Sequence, residues 1–269
     1  MIEFEIVARG LYRPEQLVIE HRPGMHMPIT PTIQEWMDTL WQQKLARARE
    51  KGIRLFNTPL FRFIAASSRI DGTLHLVIGN TDYKHYVTSR TPEFSQGRTR
   101  QALGNPLAVC SVVETSDDYI LLDKRQGVDV YNGHYHVIGG FFERLLDVVT
   151  HLPDPFRAIC REIREETGIQ STDIKEQYCL GVVYDLRTPH GELCFLTRLS
   201  IPLAEVLTRE AEDDEIKQLI PLHVTKESLH TFILRHHGNI SATGEPNLLM
   251  YGGWKFGETW FREIMAQIS

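Results

Sequence analysis

The chain has 269 residues, 42% hydrophobic and 24% charged, enough to bury a core in one large domain or two small ones. A formal net charge of -6 argues against a general affinity for nucleic acid or an anionic membrane, while leaving room for a local basic pocket. No apolar run approaches a bilayer span, and the start, Met1-Ile2-Glu3-Phe4-Glu5, lacks the basic and apolar regions of a signal peptide.

Cys110, Cys160, Cys179 and Cys194 form no C-x-x-C pair, so buried free thiols in a reducing cytoplasm are expected. Residues 2–9 and 17–22 read as short strands on either side of Arg13-Pro14-Glu15. Residues 32–51 read as a helix with Thr32 as its cap, Trp36, Leu40, Trp41 and Leu45 as apolar positions, and Gly52 as its stop. Residues 61–70 and 73–79 form a hairpin at Asp71-Gly72. The polar stretch 89–104 is a loop or a short helix.

The pattern restarts at Pro106. Residues 107–114 and 119–124 pair around Ser116-Asp117-Asp118, and 134–138 is a strand running into Gly139-Gly140. A helix spans 155–167, and strands 177–186 and 192–199 flank Thr188-Pro189-His190-Gly191. Leu219-Ile220-Pro221-Leu222 begins a closing helical region.

The most informative segment is Arg161-Glu162-Ile163-Arg164-Glu165-Glu166-Thr167-Gly168-Ile169. At about 100° per residue, Glu162, Glu165 and Glu166 fall on one side of a helix that Gly168 closes. Phe156, Ile159 and Ile163 supply the buried face. Three adjacent carboxylates repel one another, and a hard divalent cation with oxygen ligands removes that cost. The plain alternative is a solvated acidic face.

The nine residues match the second half of the Nudix box, and Val137-Ile138-Gly139-Gly140 resembles the strand-end glycine pair of that family. The resemblance implies an α+β fold, a Nudix α/β/α sandwich over 105–269 preceded by an α+β module over 1–104. It implies Mg²⁺, with Mn²⁺ as a substitute, held by Glu162, Glu165, Glu166 and a carbonyl of the glycine pair, taken as Gly140. Arg161 matches the arginine that orients one of those glutamates. The first half of the box departs from the family pattern. Gly140 stands twenty-one positions before Arg161 instead of fourteen, and Leu146 and Pro153 occupy the two places where the box glutamate would fall. Glu143 or Asp147 could replace it. A general base outside the helix is sought equally at Glu192 and at Glu215, the latter in the acidic run 210–215.

Short patches narrow the family. Phe56-Asn57-Thr58-Pro59-Leu60-Phe61-Arg62, Gly79-Asn80-Thr81-Asp82-Tyr83, Asn105-Pro106-Leu107 and Ser116-Asp117-Asp118-Tyr119 resemble a subgroup that hydrolyses UDP-glucose and UDP-galactose to UMP and sugar 1-phosphate. Phe61, Tyr83 and Tyr86 are then candidates for a uracil wall, and Arg62 or Lys84 for phosphate charge. His134 and His136 either face the cleft or are satisfied strand histidines. Competing readings are hydrolysis of another diphosphate such as ADP-ribose, and a weakly active nucleotide-sugar sensor. The partner is expected to be a small nucleotide diphosphate, with neither nucleic acid nor membrane involved, and a homodimer is compatible with the family.

Overall fold

The computed structural model describes residues 2–52, 54–127, 130–212 and 218–269. The first hundred residues hold β1 (Phe4–Tyr12), β2 (Leu17–His21), α1 (Pro31–Glu50), β3 (Pro59–Ser68), β4 (Leu74–Asp82), α2 (Tyr83–Ser89) and α3 (Pro92–Ser95). Next come β5 (Leu107–Glu114), β6 (Tyr119–Lys124), β7 (Tyr135–His136), β8 (Ile138–Phe141) and the two-residue β9 (Val148–Val149) and β10 (Leu152–Pro153). Helix α4 (Pro155–Thr167) leads to β11 (Ile174–Asp185), β12 (His190–Leu199), α5 (Leu203–Val206) and β13 (Leu219–His223). Helices α6 (Lys226–His236), α7 (Gly244–Phe256) and α8 (Glu258–Ile268) follow.

The architecture is α+β: a large twisted sheet between two helical layers, with a small second sheet beside it. The large sheet runs β1-β11-β12-β5-β6-β13, with β8 on β5 and β7 on β6. Among the described residues, β12 and β5 pair in parallel and the other strand pairs of that sheet are antiparallel. The small sheet has the order β2-β4-β3. Strand β1 lies in the large sheet against β11, so the earliest residues and the later ones share one ladder.

Period-two alternation along β5 sorts its side chains between two cores. Val109 and Val113 face Ala158, Ile159 and Ile163 of α4. Cys110 and Val112 face the other way, onto Leu229 and Ile233 of α6, Leu248 and Leu249 of α7, and Trp260 and Ile264 of α8. Each large side chain buried in this way contributes about 1.5–3 kcal/mol. Phe61, Phe63, Leu76 and Ile78 of the small sheet join the core on the α4 side. Cys110, Cys179 and Cys194 are buried free thiols, and Cys160 is half-buried. Among the described residues no helix is long and apolar enough to cross a membrane.

Two local expectations are corrected. Residues 219–222 do not open a helix: they form edge strand β13, antiparallel to β6 from Leu219↔Asp123 to His223↔Tyr119. Pro221 explains the choice, because proline breaks a helix interior but is tolerated on a sheet edge. Helix α1 is capped by Thr30, whose hydroxyl accepts from Ile33 N at 3.3 Å, and not by Thr32. Pro31 takes the first helical position, where its missing N–H costs nothing.

Candidate active site

Helix α4 is fixed at both ends. The Asp154 carboxylate accepts from Phe156 N and Arg157 N, both at 3.0 Å, and Pro155 opens the first turn. Gly168 closes it in the left-handed region at φ 72°, its N–H donating to Arg164 O at 2.8 Å. The rotation so defined presses Ile159 and Ile163 into the core and carries Glu162 and Glu166 against β8, leaving these residues only 8% and 7% exposed.

That approach requires the glycine pair. A Cβ on Gly140 would stand 2.5 Å from Glu162 Cδ, and one on Gly139 would stand 2.2 Å from Val109 O. The Gly139 N–H instead donates to Glu166 Oε2 at 3.1 Å. The strand's bare backbone and the helix's carboxylates therefore occupy space that any side chain would take.

Arg161 organises the remaining carboxylates. Its Nε and Nη2 donate to Asp147 Oδ1 and Oδ2 at 2.8 and 2.9 Å, a two-pronged buried pair. Nη1 meets Glu165 Oε2 at 2.8 Å and Glu162 Oε1 at 2.9 Å, and Nη2 also donates to Phe141 O at 3.1 Å. Burial opposes the charge on Arg161, but the hydrogen bonds to Asp147 and the surrounding carboxylates raise its pKa. Asp147 is itself wholly buried and accepts the Glu143 N–H at 2.8 Å. Glu143 lies three residues past Gly140 on the wall of the same cleft. Burial raises its carboxyl pKa; Arg161 opposes that shift, and Asp147 and Glu165 add to it.

The cleft has a volume of about 590 Å³ and four kinds of wall. Glu143, Glu162 and Glu165 form the acidic floor. Tyr83, Tyr86 and Phe141 make an aromatic side, their ring centroids 5.4–6.0 Å apart and edge-on. Lys44, Arg47 and Lys51 reach it from α1, and Arg125 from the segment after β6. The inner end is polar, with His136, His190, Glu192, Ser241 and Thr243.

Glu192 is 3% exposed, with Oε2 3.2 Å from His190 Nε2. Burial favours its neutral form, yet His190, His136 and Thr243 hold its pKa down to about 2. His190 lies at 2.6 Å from Thr188 O through Nδ1, so both ring nitrogens face acceptors. Its pKa is raised: burial opposes the charge, while Glu192 and Asp185 favour it. His136 moves oppositely. Burial and Arg125 lower it to about 3, against the attraction of Glu192, and its Nδ1 sits 2.6 Å from Ser241 Oγ.

The structure thus brings Gly140, Arg161, Glu162, Glu165, Glu192, Tyr83 and Tyr86 to one cleft. Glu166 lies behind the floor on the Gly139 amide. Phe61, Arg62 and Lys84 are placed elsewhere. Phe61 packs against Phe142 at 4.4 Å in the core. Arg62 is buried and donates to Gln101 O and Leu103 O at 2.7 and 2.9 Å, tying the chain that precedes β5. Lys84 is paired with Asp38 on α1. Glu215 lies outside the described residues. His134 does not line the cleft but packs on Tyr131, which does, with the two rings 5.3 Å apart.

Among the described residues no three His, Cys, Asp or Glu side chains are grouped so as to hold a metal ion. The donors that do converge, Glu162 and Glu165 on one Arg161 nitrogen, are hard carboxylate oxygens of the kind magnesium and manganese prefer. The site fits such an ion in donor chemistry, with Glu166 turned away.

No family model matches the chain, and no curated protein matches it. Solved structures are similar to it at low identity. One is a bifunctional NMN adenylyltransferase/ADP ribose pyrophosphatase from Francisella tularensis complexed with AMP and a manganese ion, at 17% identity and TM-score 0.40 over 56% of this chain. The match spans 42% of that longer chain. Another is the NUDIX domain of Shewanella oneidensis NrtR with ADP ribose, at 15% identity and TM-score 0.42, covering 62% of this chain and 97% of that one. A third is the MutT protein of Methanosarcina mazei Go1, at 16% identity and TM-score 0.38, covering 58% and 99%.

Proposed function

We propose that the cleft hydrolyses the diphosphate of a nucleotide sugar, UDP-glucose or UDP-galactose, to UMP and sugar 1-phosphate, as a Nudix-type pyrophosphatase. The observation that carries the reading is the packing of Glu162 onto Gly140 with Glu165 beside it, on the floor of a cleft that also has aromatic and cationic sides. Glu162 and Glu165 would hold Mg²⁺ or Mn²⁺, with the Gly140 carbonyl and a reoriented Glu166 completing the donors. When bound, the ion supplies charge neutralisation at the diphosphate and a more acidic water.

The chain's own residues account for the rest. Lys44, Arg47, Lys51 and Arg125 offset the phosphate charge from the walls. Tyr83 and Tyr86 offer a flat aromatic side to uracil. Asp147 takes the place of the missing box glutamate as the anchor of Arg161. Glu143, whose pKa burial raises, is a better proton acceptor than Glu192, which its histidine neighbours hold as a weak base. In this reading residues 1–104 grip the substrate through α1 and α2, and residues 105–269 carry the chemistry.

The test is product analysis with Mg²⁺ on UDP-glucose, UDP-galactose, ADP-ribose and diadenosine polyphosphates, for the wild type and Glu165→Gln. UMP and sugar 1-phosphate from the UDP-sugars alone, lost at least about a hundredfold in the variant, support the reading. ADP-ribose as the preferred substrate removes the UDP-sugar assignment. Wild-type turnover by Glu165→Gln removes α4 as the catalytic platform.

A further inference from the structure

The inner end of the cleft is built from polar side chains that the hydrolysis described above does not use. Glu192 and His190 reach it from β12, His136 from β7, and Ser241 and Thr243 from the turn into α7. The least accessible of them, Ser241, Thr243 and Glu192, are 2–3% exposed. Such a cluster is a poor way to gain stability, because well-packed apolar residues of similar volume do as well or better.

Its hydrogen bonds leave a mixed set of partners. His190 is bound at both nitrogens by Glu192 and the Thr188 carbonyl. Asp185 behind it is saturated by Tyr131, Thr188 and the Arg187 N–H. Glu192 Oε1 is 3.8 Å from His136 Nε2, beyond hydrogen-bond distance; His190 and Thr243 donate to this carboxylate, which has room for about four donors and so retains capacity to accept. Ser241 Oγ lies 2.6 Å from His136 Nδ1 and accepts the Gly244 N–H at 3.1 Å, and the Thr243 hydroxyl meets Glu192; a hydroxyl has one donor and two acceptor sites, so each can still take a further partner. Glu192 places a buried carboxylate at this end, which disfavours phosphate. Alternating acceptors and amphoteric hydroxyls beside the Tyr86 ring, 5.8 Å from His190, match a neutral polyhydroxylated group.

We propose that this inner end is the subsite for the sugar hydroxyls, with Glu192, Ser241 and Thr243 as specificity residues. The proposal rests on the nucleotide-sugar reading above, and its test separates the two. Binding is measured calorimetrically in EDTA, without turnover, for the pairs UDP-glucose with UDP and ADP-ribose with ADP. The proteins are wild type, Ser241→Ala, Thr243→Val and Glu192→Gln, each checked by circular dichroism to be folded at the assay temperature.

Loss of one buried hydrogen bond should weaken the sugar-bearing nucleotide about tenfold, while the affinity for the matching diphosphate changes by less than about twofold. Equal losses for both members of a pair would overturn the proposal, because the end would then hold the nucleotide. Unchanged affinity in all three variants would also overturn it, even if the wild type hydrolyses UDP-glucose. Sugar-dependent binding without turnover in Mg²⁺ would sustain the subsite and sink the hydrolase reading. Binding of none of the four ligands by the wild type would overturn both.

Discussion

Asp147→Asn tests how the acidic floor is held together. The substitution keeps volume, removes a charge and turns one acceptor into an amide NH₂ facing the Arg161 donors. In the wild type Asp147 is wholly buried, and its oxygens take Arg161 at 2.8 and 2.9 Å. Removing one partner of a buried ion pair costs about 3–5 kcal/mol. Arg161 is not stranded, however, because Glu165, Glu162 and Phe141 O remain at 2.8, 2.9 and 3.1 Å. Those contacts place the loss near about 2–3 kcal/mol, a fall of roughly 5–10 °C in Tm for a chain of this size. Urea denaturation with unchanged m-value would measure it. Because Arg161 would then lose its two-pronged anchor, the two carboxylates it orients should loosen, and turnover should drop at least about tenfold. A Tm within about 1 °C of wild type together with full turnover would refute the argument.

Two further perturbations follow from the same geometry. Gly140→Ala would drive a methyl to 2.5 Å from Glu162 Cδ, displacing that carboxylate; a loss of about 1–3 kcal/mol with most activity gone is expected, and wild-type turnover would contradict it. Stability against pH should be dome-shaped. Burial holds folded His136 near 3, so below its ordinary 6.5 the unfolded chain binds a proton that the folded one refuses, and stability falls with pH. Glu192 acts with the same sign between 4.5 and about 2. His190, raised by Glu192 and Asp185 against the cost of burial, contributes stability that is present below 6.5 and lost as pH rises through its folded value. Urea midpoints from pH 4 to 8 should therefore peak near about 6.5, and His136→Asn should flatten the acid limb. An acid limb of unchanged slope would count against a neutral buried His136.

What could be read from the chain was what local chemistry decides. Pro155 and Gly168 mark the start and stop of α4, and the spacing of Ile159 and Ile163 sets its buried face, so the helix was legible as an element; that Glu162 and Glu165 would line the cleft while Glu166 meets the Gly139 amide was not. The strand at β5 and the Gly139-Gly140 pair were legible for the same reason, since backbone conformation acts over a few residues. The cations of α1 carried a visible signal too: Lys44, Arg47 and Lys51 recur at helical spacing. Nothing in that spacing said what the face would meet. Pairings across long separations were decided by the fold alone. Which of Glu143 and Asp147 would meet Arg161 depended on how the loop between β8 and α4 closes, and it is Asp147 that pairs with it. Arg62 was equally well suited to a phosphate, but three backbone carbonyls claimed it. The polar inner end joins β7, β12 and the turn before α7, elements about a hundred residues apart at the extremes. No local pattern links His136 to Ser241, because their contact is paid for by the packing of whole layers and exists only once the sheet and α7 have met.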